Sequence, residues 1–323
     1  MEFRLIERLR ERTAQSRDDV RLGIGDDAAV LAVPAGQELA VAIDTLVEGV
    51  HFFRDAVPAD VGWKALAVNL SDLAAMGASP AWALLALSMP ASDAAFIDGL
   101  AEGFAQLAQP YRLALVGGDT TRGPLTLSVA VHGFVPPGQA LTRSGAQAGD
   151  VVLVTGTLGD AAAGLRLLQQ GVPPDMPDAH RDHLLGRQLR PVPRVAAGLA
   201  LRGIANACLD VSDGLLADLA HICVASGVGV EIESAWLPRS PALLDAFDEA
   251  TSRDFALAGG EDYELCFTVP PARLAEVQAD LARLGCGATR IGRVVEGEGV
   301  RVRAEDGSWL DSPRSGWDHF AHD

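Results

Sequence analysis

The chain has 323 residues, more than one hydrophobic core usually supports, so two domains are expected. Hydrophobic residues make up 49%, which excludes a disordered chain. Lys and Arg total 26 against 43 Asp and Glu, a net charge of −17, and so acidic a surface repels nucleic acid and anionic membrane. A phosphate ligand must then arrive with metal cations or meet a local basic spot.

The basic residues are nearly all arginine, and Lys64 is the sole lysine. There is no Gly-Lys pair, which excludes a P-loop. Cys208, Cys223, Cys266 and Cys286 form no C-x-x-C, so buried thiols in a reducing cytoplasm are expected. The N-terminal MEFRLIERLRERT reads as an amphipathic charged helix, not a signal peptide. The uncharged run from Leu73 to Ser92, apart from Asp72 just before it, is interrupted by Gly77, Pro80 and Pro90 and reads as helix end, turn and buried strand rather than a membrane span.

In chain order, apolar runs of strand character occur at 28–33, 39–43, 81–88, 113–116 and 125–135. Helical spacing appears between them at 60–76 and 93–108. Turn signals PPG, RSG and QAGD cluster in 136–150, which marks a domain break, with domains at 1–138 and 149–323. The second half reads as strand 151–155, a glycine turn into a helix ending at Gly171, and helices at 178–188 and 194–201. Strand 205–209, helix 214–226 and strands 228–232 and 264–269 follow, then helix 272–284 and strand 289–294. This alternation indicates an α/β fold of α+β layers.

Six motifs carry aspartate to the edge of apolar segments: GIGDDAAV, AIDTLVEGVHF, NLSDLAAMGA, VGGDTTRG, CLDVSDGL and GGEDYEL. One such aspartate is ordinarily a turn residue or a helix cap. Six, without basic partners beside them in sequence, suggest a divalent-metal site. In GIGDDAAV a tight turn with solvated aspartates serves equally well. Asp44 is expected to end a strand, with His51 following a Val-Glu-Gly turn. An aspartyl-phosphate nucleophile wants a second aspartate two residues on, where Leu46 and Ser212 stand instead. Asp72 falls inside an apolar helix, a poor place for aspartate unless it faces water or a cation, and the cation is favoured.

In VGGDTTRG, Gly117 and Gly118 let backbone approach a ligand, Asp119 can bind metal and Arg122 can answer a phosphate; a Gly-Gly turn is the plain alternative. Asp210 is expected at a strand end, with Ser212 either an N-cap or part of a phosphate site at the following helix. No segment fits an EF-hand, and His180 and His183 read as solvated residues of a charged helix. Two carboxylates about 6 Å apart repel by roughly 3 kcal/mol at an effective dielectric of about 20, so converging aspartates call for divalent cations. Oxygen ligands without His or Cys select Mg²⁺ or Ca²⁺, and Mg²⁺ with an arginine and helix-end amides is the equipment of phosphoryl transfer.

The motifs, in this order and together with HGFVPPGQALTRSGA and the terminal SGWDHF, closely resemble the thiamine-monophosphate kinase family. It is part of the aminoimidazole-ribonucleotide synthetase-like ATP-binding superfamily. The resemblance implies an N-terminal domain that dimerises through its sheet, a C-terminal α/β domain, and ATP in the cleft. It implies direct transfer of the γ-phosphate of ATP to thiamine monophosphate, with several Mg²⁺ ions, in a cytoplasmic homodimer that binds neither nucleic acid nor membrane. Carried over by motif, Asp27, Asp44, Asp72, Asp119, Asp210 and Asp213 are metal ligands. Gly118, Asp119, Arg143 and Ser212 contact ATP, and His51, Glu261 and Trp317 contact the substrate. The indole of Trp317 suits a cationic thiazolium. Where the family often has hydroxyl residues before the second aspartate, this chain has Ala42 and Ile43, which leaves only backbone oxygen for metal. No covalent nucleophile is implied.

Within the superfamily, a selenophosphate synthetase is disfavoured because the first cysteine is Cys208, and an aminoimidazole-ribonucleotide synthetase by GWDHF and GGEDYEL. A non-catalytic Mg²⁺–nucleotide sensor is the alternative of a different class.

Overall fold

The computed structural model describes residues 2–310. It divides into two compact units, one of Met1–Leu73 with Ala78–Ala140, the other of Ala74–Gly77 with Leu141–Asp323.

The first unit begins with helix α1 (Glu2–Arg12), a small antiparallel pair β1 (Val20–Leu22) and β2 (Val30–Leu31), and strand β3 (Glu38–Val47). Helix α2 (Pro58–Ala75), strand β4 (Ser79–Met89), helix α3 (Ala94–Tyr111) and strands β5 (Ala114–Arg122) and β6 (Thr126–Val135) complete it. The main sheet has the order β3-β6-β4-β5, with β4 and β5 parallel and the other pairs antiparallel. Asp93 caps α3 by accepting from the amides of Ala95 and Phe96, and Arg112, in the left-handed region, ends it. Trp82 and Phe134 pack edge to face at 5.0 Å, and the Trp82 indole N–H donates to Asp19.

Two strands are longer than their apolar runs. β3 continues through Asp44 to Val47, because Thr45, Leu46 and Val47 keep pairing with β6. β5 continues through Gly117–Arg122, because β4 supplies a parallel partner at every position from Leu84 to Met89. Asp44 and Asp119 therefore sit inside strands, not at the strand ends expected. The reverse holds at 28–33, where only Val30–Leu31 form a strand.

The second unit runs β7 (Val151–Thr155), α4 (Asp160–Gln170), α5 (Asp178–Leu189), α6 (Val195–Leu201), β8 (Ala207–Asp210), α7 (Leu215–Ser226) and β9 (Gly229–Glu233). Two short helices, α8 (Pro241–Ala246) and α9 (Glu249–Ala258), precede β10 (Leu265–Val269), α10 (Leu274–Arg283), β11 (Ala288–Val295) and β12 (Gly299–Arg303). Its sheet has the order β12-β9-β11-β7-β10-β8 and is antiparallel except where β12 meets β9. β7 and β10 lie inside that sheet and are buried at every position, which explains their unbroken apolar runs. Helix α7 packs on the sheet in a core that includes Leu215, Leu219, Ile222, Val230 and Ile232. Leu184 of α5 packs with Ala163 and Leu167 of α4 and Leu243 of α8 in a separate cluster.

Candidate active site

Asp44 is held from two sides. Its side chain belongs to the cross-strand row Asp44, Val129, Leu85 and Gly118, whose two large apolar members are buried. Its amide donates to Oδ1 of the fully buried Asn69 at 3.0 Å, while the Asn69 amide donates to Ala65 O at 2.9 Å. Asn69 and Asp72 stand three residues apart on α2 and so share one helix surface. The bond to Asn69 thus brings the β3 position of Asp44 against the stretch of α2 that carries Asp72, which is half-buried there.

Asp119 belongs to the next row, with Thr45, Ser128 and Ala86, and successive rows face opposite sides of a sheet. The Thr45 and Ser128 hydroxyls lie 2.7 Å apart on that side. Asp44 and Asp119 are therefore separated by two intervening strands and by the sheet itself. Gly118, at φ +153, would carry a Cβ only 1.8 Å from Leu85 O, so no other residue fits there with β4 and β5 paired as they are. Asp26 and Asp27 are both exposed, and the Asp26 carboxylate accepts from the Asp27 amide in a tight turn.

His51 closes the turn after β3. Its Nδ1 accepts the Val47 N–H at 3.0 Å, which leaves the ring proton on Nε2 in the neutral form. The Lys64 ammonium, buried on α2, donates to His51 O at 3.3 Å. The one lysine of the chain thus secures the His51 turn.

In the second unit the LDVSDG and GGEDYEL segments lie side by side. Asp210 pairs with Leu265, and beyond the strands the Glu261 and Tyr263 amides donate to Ser212 O and Val211 O. Glu261 and Tyr263 both take left-handed backbone, at φ +69 and +50, strain typical of functional loops. Ser212 does not cap α7. Instead Asp218, inside the helix, turns one carboxylate oxygen back to accept from the amides of Ser212, Asp213 and Gly214 at 3.0, 3.1 and 3.2 Å. Those three amides, which precede the first residue of α7, Leu215, are thus occupied by Asp218. Burial pushes the Asp218 carboxyl up to about 7, the charge of Asp210 adds to this, and the amide bonds oppose it.

Several expectations change here. The GGEDYEL segment has basic partners after all: Arg187 and Arg194 both pair with the buried Glu264, and Arg187 also donates to Asp262 O. Asp262 is fully buried and accepts from the amides of Gly159 and Ala161 at 2.6 and 3.2 Å, a structural brace. His183 is not merely solvated: its Nε2 lies 3.0 Å from the buried Asp160. Burial raises the Asp160 carboxyl, yet bonds from His183, Ser240 and Thr157 outweigh it and hold the group low. His180 likewise approaches Asp245, at 3.5 Å. Arg143 is exposed; its carbonyl accepts from Ser226 at the C-terminal end of α7, a helix about 18 Å long, while Ser212 precedes the N-terminal end. Trp317 lies outside the described residues.

Among the described residues no three or more His, Cys, Asp or Glu side chains form a ready metal cluster. The donor chemistry nonetheless fits Mg²⁺. Asp27, Asp44 and Asp119 are exposed carboxylates, the oxygen donors that Mg²⁺ takes.

The family model for AIR synthase related protein, N-terminal domain, matches residues 25–135, and that for the C-terminal domain matches 147–305. The thiamine-monophosphate kinase of Escherichia coli (strain K12) is 50% identical over 321 residues, 99% of this chain and 98% of that protein. The chain belongs to the thiamine-monophosphate kinase family.

Solved members of this kinase family share the fold. The thiamine-monophosphate kinase of Stenotrophomonas maltophilia K279a is 50% identical with a TM-score of 0.87, over 95% of this chain and 96% of that one. AaThiL complexed with AMPPCP and TMP is 37% identical with a TM-score of 0.79, over 90% and 89%. Among the described residues no helix is long and apolar enough to cross a membrane.

Sequence reading missed Asp218, Arg187 and Gln188. For Asp218 a signal existed: an aspartate in the apolar run LLADLAHICVAS raises the same question as Asp72 does.

Proposed function

We propose that the chain transfers the γ-phosphate of ATP directly to thiamine monophosphate, giving thiamine diphosphate and ADP. The observation that carries this is full-length similarity to thiamine-monophosphate kinases, one of them solved with AMPPCP and TMP. Asp27, Asp44, Asp72, Asp119, Asp210 and Asp213 are the proposed Mg²⁺ ligands. Bound Mg²⁺ supplies charge neutralisation for the phosphate oxygens.

The chain's own groups then bind and orient. Gly118 offers backbone approach, Ser212 a hydroxyl and Arg143 a guanidinium to ATP. His51, with its proton on Nε2, can donate to an oxygen of the acceptor phosphate, Glu261 can offset the thiazolium charge, and Trp317 can stack on the ring. The acceptor oxygen is already ionised, so no strong general base is needed.

A homodimer in the cytoplasm is part of this reading. β3 is an edge strand whose outward side chains Leu39, Val41 and Ile43 are 42%, 58% and 65% exposed, an apolar stripe suited to a second copy. The four cysteines are buried free thiols, which suits a reducing compartment.

A coupled assay of ADP release tests the proposal. ADP must form only when thiamine monophosphate and Mg²⁺ are both present. ATP binding without ADP release for any phosphate acceptor would identify a nucleotide sensor instead.

A further inference from the structure

We propose that Gln188, on α5, is a positioning residue that aims the Glu261 carboxylate at the acceptor substrate; the inference rests on the reading of Glu261 as a substrate contact. Gln188 is only 4% exposed, and its Nε2 donates to Glu261 Oε2 at 2.6 Å. Only the amide N–H₂ can donate to a carboxylate, so the orientation of the Gln188 amide is set by this bond. The cost is visible on the other atom: Gln188 Oε1 is buried with no hydrogen-bond partner. A buried amide with half its capacity unmet is unfavourable as mere filling, and a Leu or Met would serve packing better. The half that is used points at Glu261.

The surroundings make α5 a rigid bar against which the loop is set. Gly164 of α4 has no side chain, and a Cβ there would lie 2.2 Å from Leu184 O and 2.9 Å from the Gln188 side chain, so α5 sits directly on α4. From the same turn of α5, Arg187 donates to Asp262 O at 2.9 Å and to Glu264 Oε1 at 2.8 Å. Glu261 itself is half-buried in left-handed backbone, its amide bonded to Ser212 O at 2.7 Å. Arg187 thus fixes the backbone just after Glu261, Ser212 fixes its amide, and Gln188 fixes its side chain. Without Gln188 the backbone stays while the carboxylate loses this hydrogen bond and the order it imposes. The loss then falls on capture of the acceptor and not on ATP.

Kinetics of three variants of the full chain decide the matter. Gln188→Leu keeps the volume and removes the donor; it raises KM for thiamine monophosphate about tenfold, with kcat and the KM for ATP within about twofold of wild type. Gln188→Glu keeps the shape and sets carboxylate against carboxylate. Its KM is raised at pH 8 and falls toward wild type as the pH drops to 6, where one shared proton restores the bond, a pH profile that a purely structural role would not produce. Glu261→Ala is the control. If it leaves KM for thiamine monophosphate unchanged, the reading of Glu261 fails and the inference with it. If it raises KM while Gln188→Leu does not, or if Gln188→Glu shows no pH-dependent recovery, the inference alone is overturned.

Discussion

The amide of Asp44 donates to the side chain of Asn69, and this bond ties an edge strand to the helix that carries Asp72. Asn69→Leu would leave that amide facing a buried apolar surface. The expected cost is about 1–3 kcal/mol, a fall in Tm of roughly 3–10 °C, together with a severalfold rise in the Mg²⁺ needed for half-maximal activity. Thermal unfolding and a Mg²⁺ titration check both. An unchanged Mg²⁺ requirement would separate the bond from the metal site.

Asp218 is the acceptor for three consecutive amides. Asp218→Ala strands all three, so stability should drop by at least about 2 kcal/mol in urea unfolding, and KM for ATP should rise as Ser212 loses its fixed place. Asp218→Asn keeps one acceptor oxygen and should fall between. A wild-type ATP response in Asp218→Ala would mean that the Ser212 loop is held by other means.

The positions of these groups were only partly legible in the chain. The helix and strand cores were readable because Leu66, Leu70 and Leu73, or the run at 265–269, carry their period in the sequence. Strand ends were not: Asp44 and Asp119 looked terminal because an apolar run stops near each, yet pairing with β6 and β4 extends both strands beyond it. Helices α8 and α9 carried cap signals, Ser240 before Pro241 and Asp248 before Glu249, but are too short to show periodicity. The partners of GGEDYEL lie 70 or more residues away, as Arg194 is from Glu264, and nothing local announces such a pairing. In the candidate site the acidic residue types were readable, whereas the filling of the Ser212 amides by Asp218 needed the fold.

Asp262 gives a pH signature. Burial pushes its carboxyl up to about 7, with the charge of Arg187 opposing, against an ordinary value near 4 when unfolded. The folded state therefore holds this proton more tightly than the unfolded chain does. Its contribution is fully present below the unfolded value and is lost as the pH rises through the folded one, so stability from this group declines between about pH 4 and 7. Asp262→Asn should flatten that part of the Tm profile, as unfolding scans from pH 5 to 8 would show. A slope identical to wild type would contradict the assignment.

Lys64 donates to the carbonyl of His51, and no other lysine exists in the chain. Lys64→Met keeps the buried stem and removes the donor. KM for thiamine monophosphate should rise several-fold with KM for ATP little changed, measured in the same coupled assay. Equal losses for both substrates would point to a general defect of the first unit.

Direct transfer between two phosphates is tested by following the γ-phosphate of labelled ATP through a single turnover with thiamine monophosphate and Mg²⁺. The label should appear as the terminal phosphate of thiamine diphosphate, with none on the protein at any time. Label trapped covalently on the chain, or released only as inorganic phosphate, would contradict it.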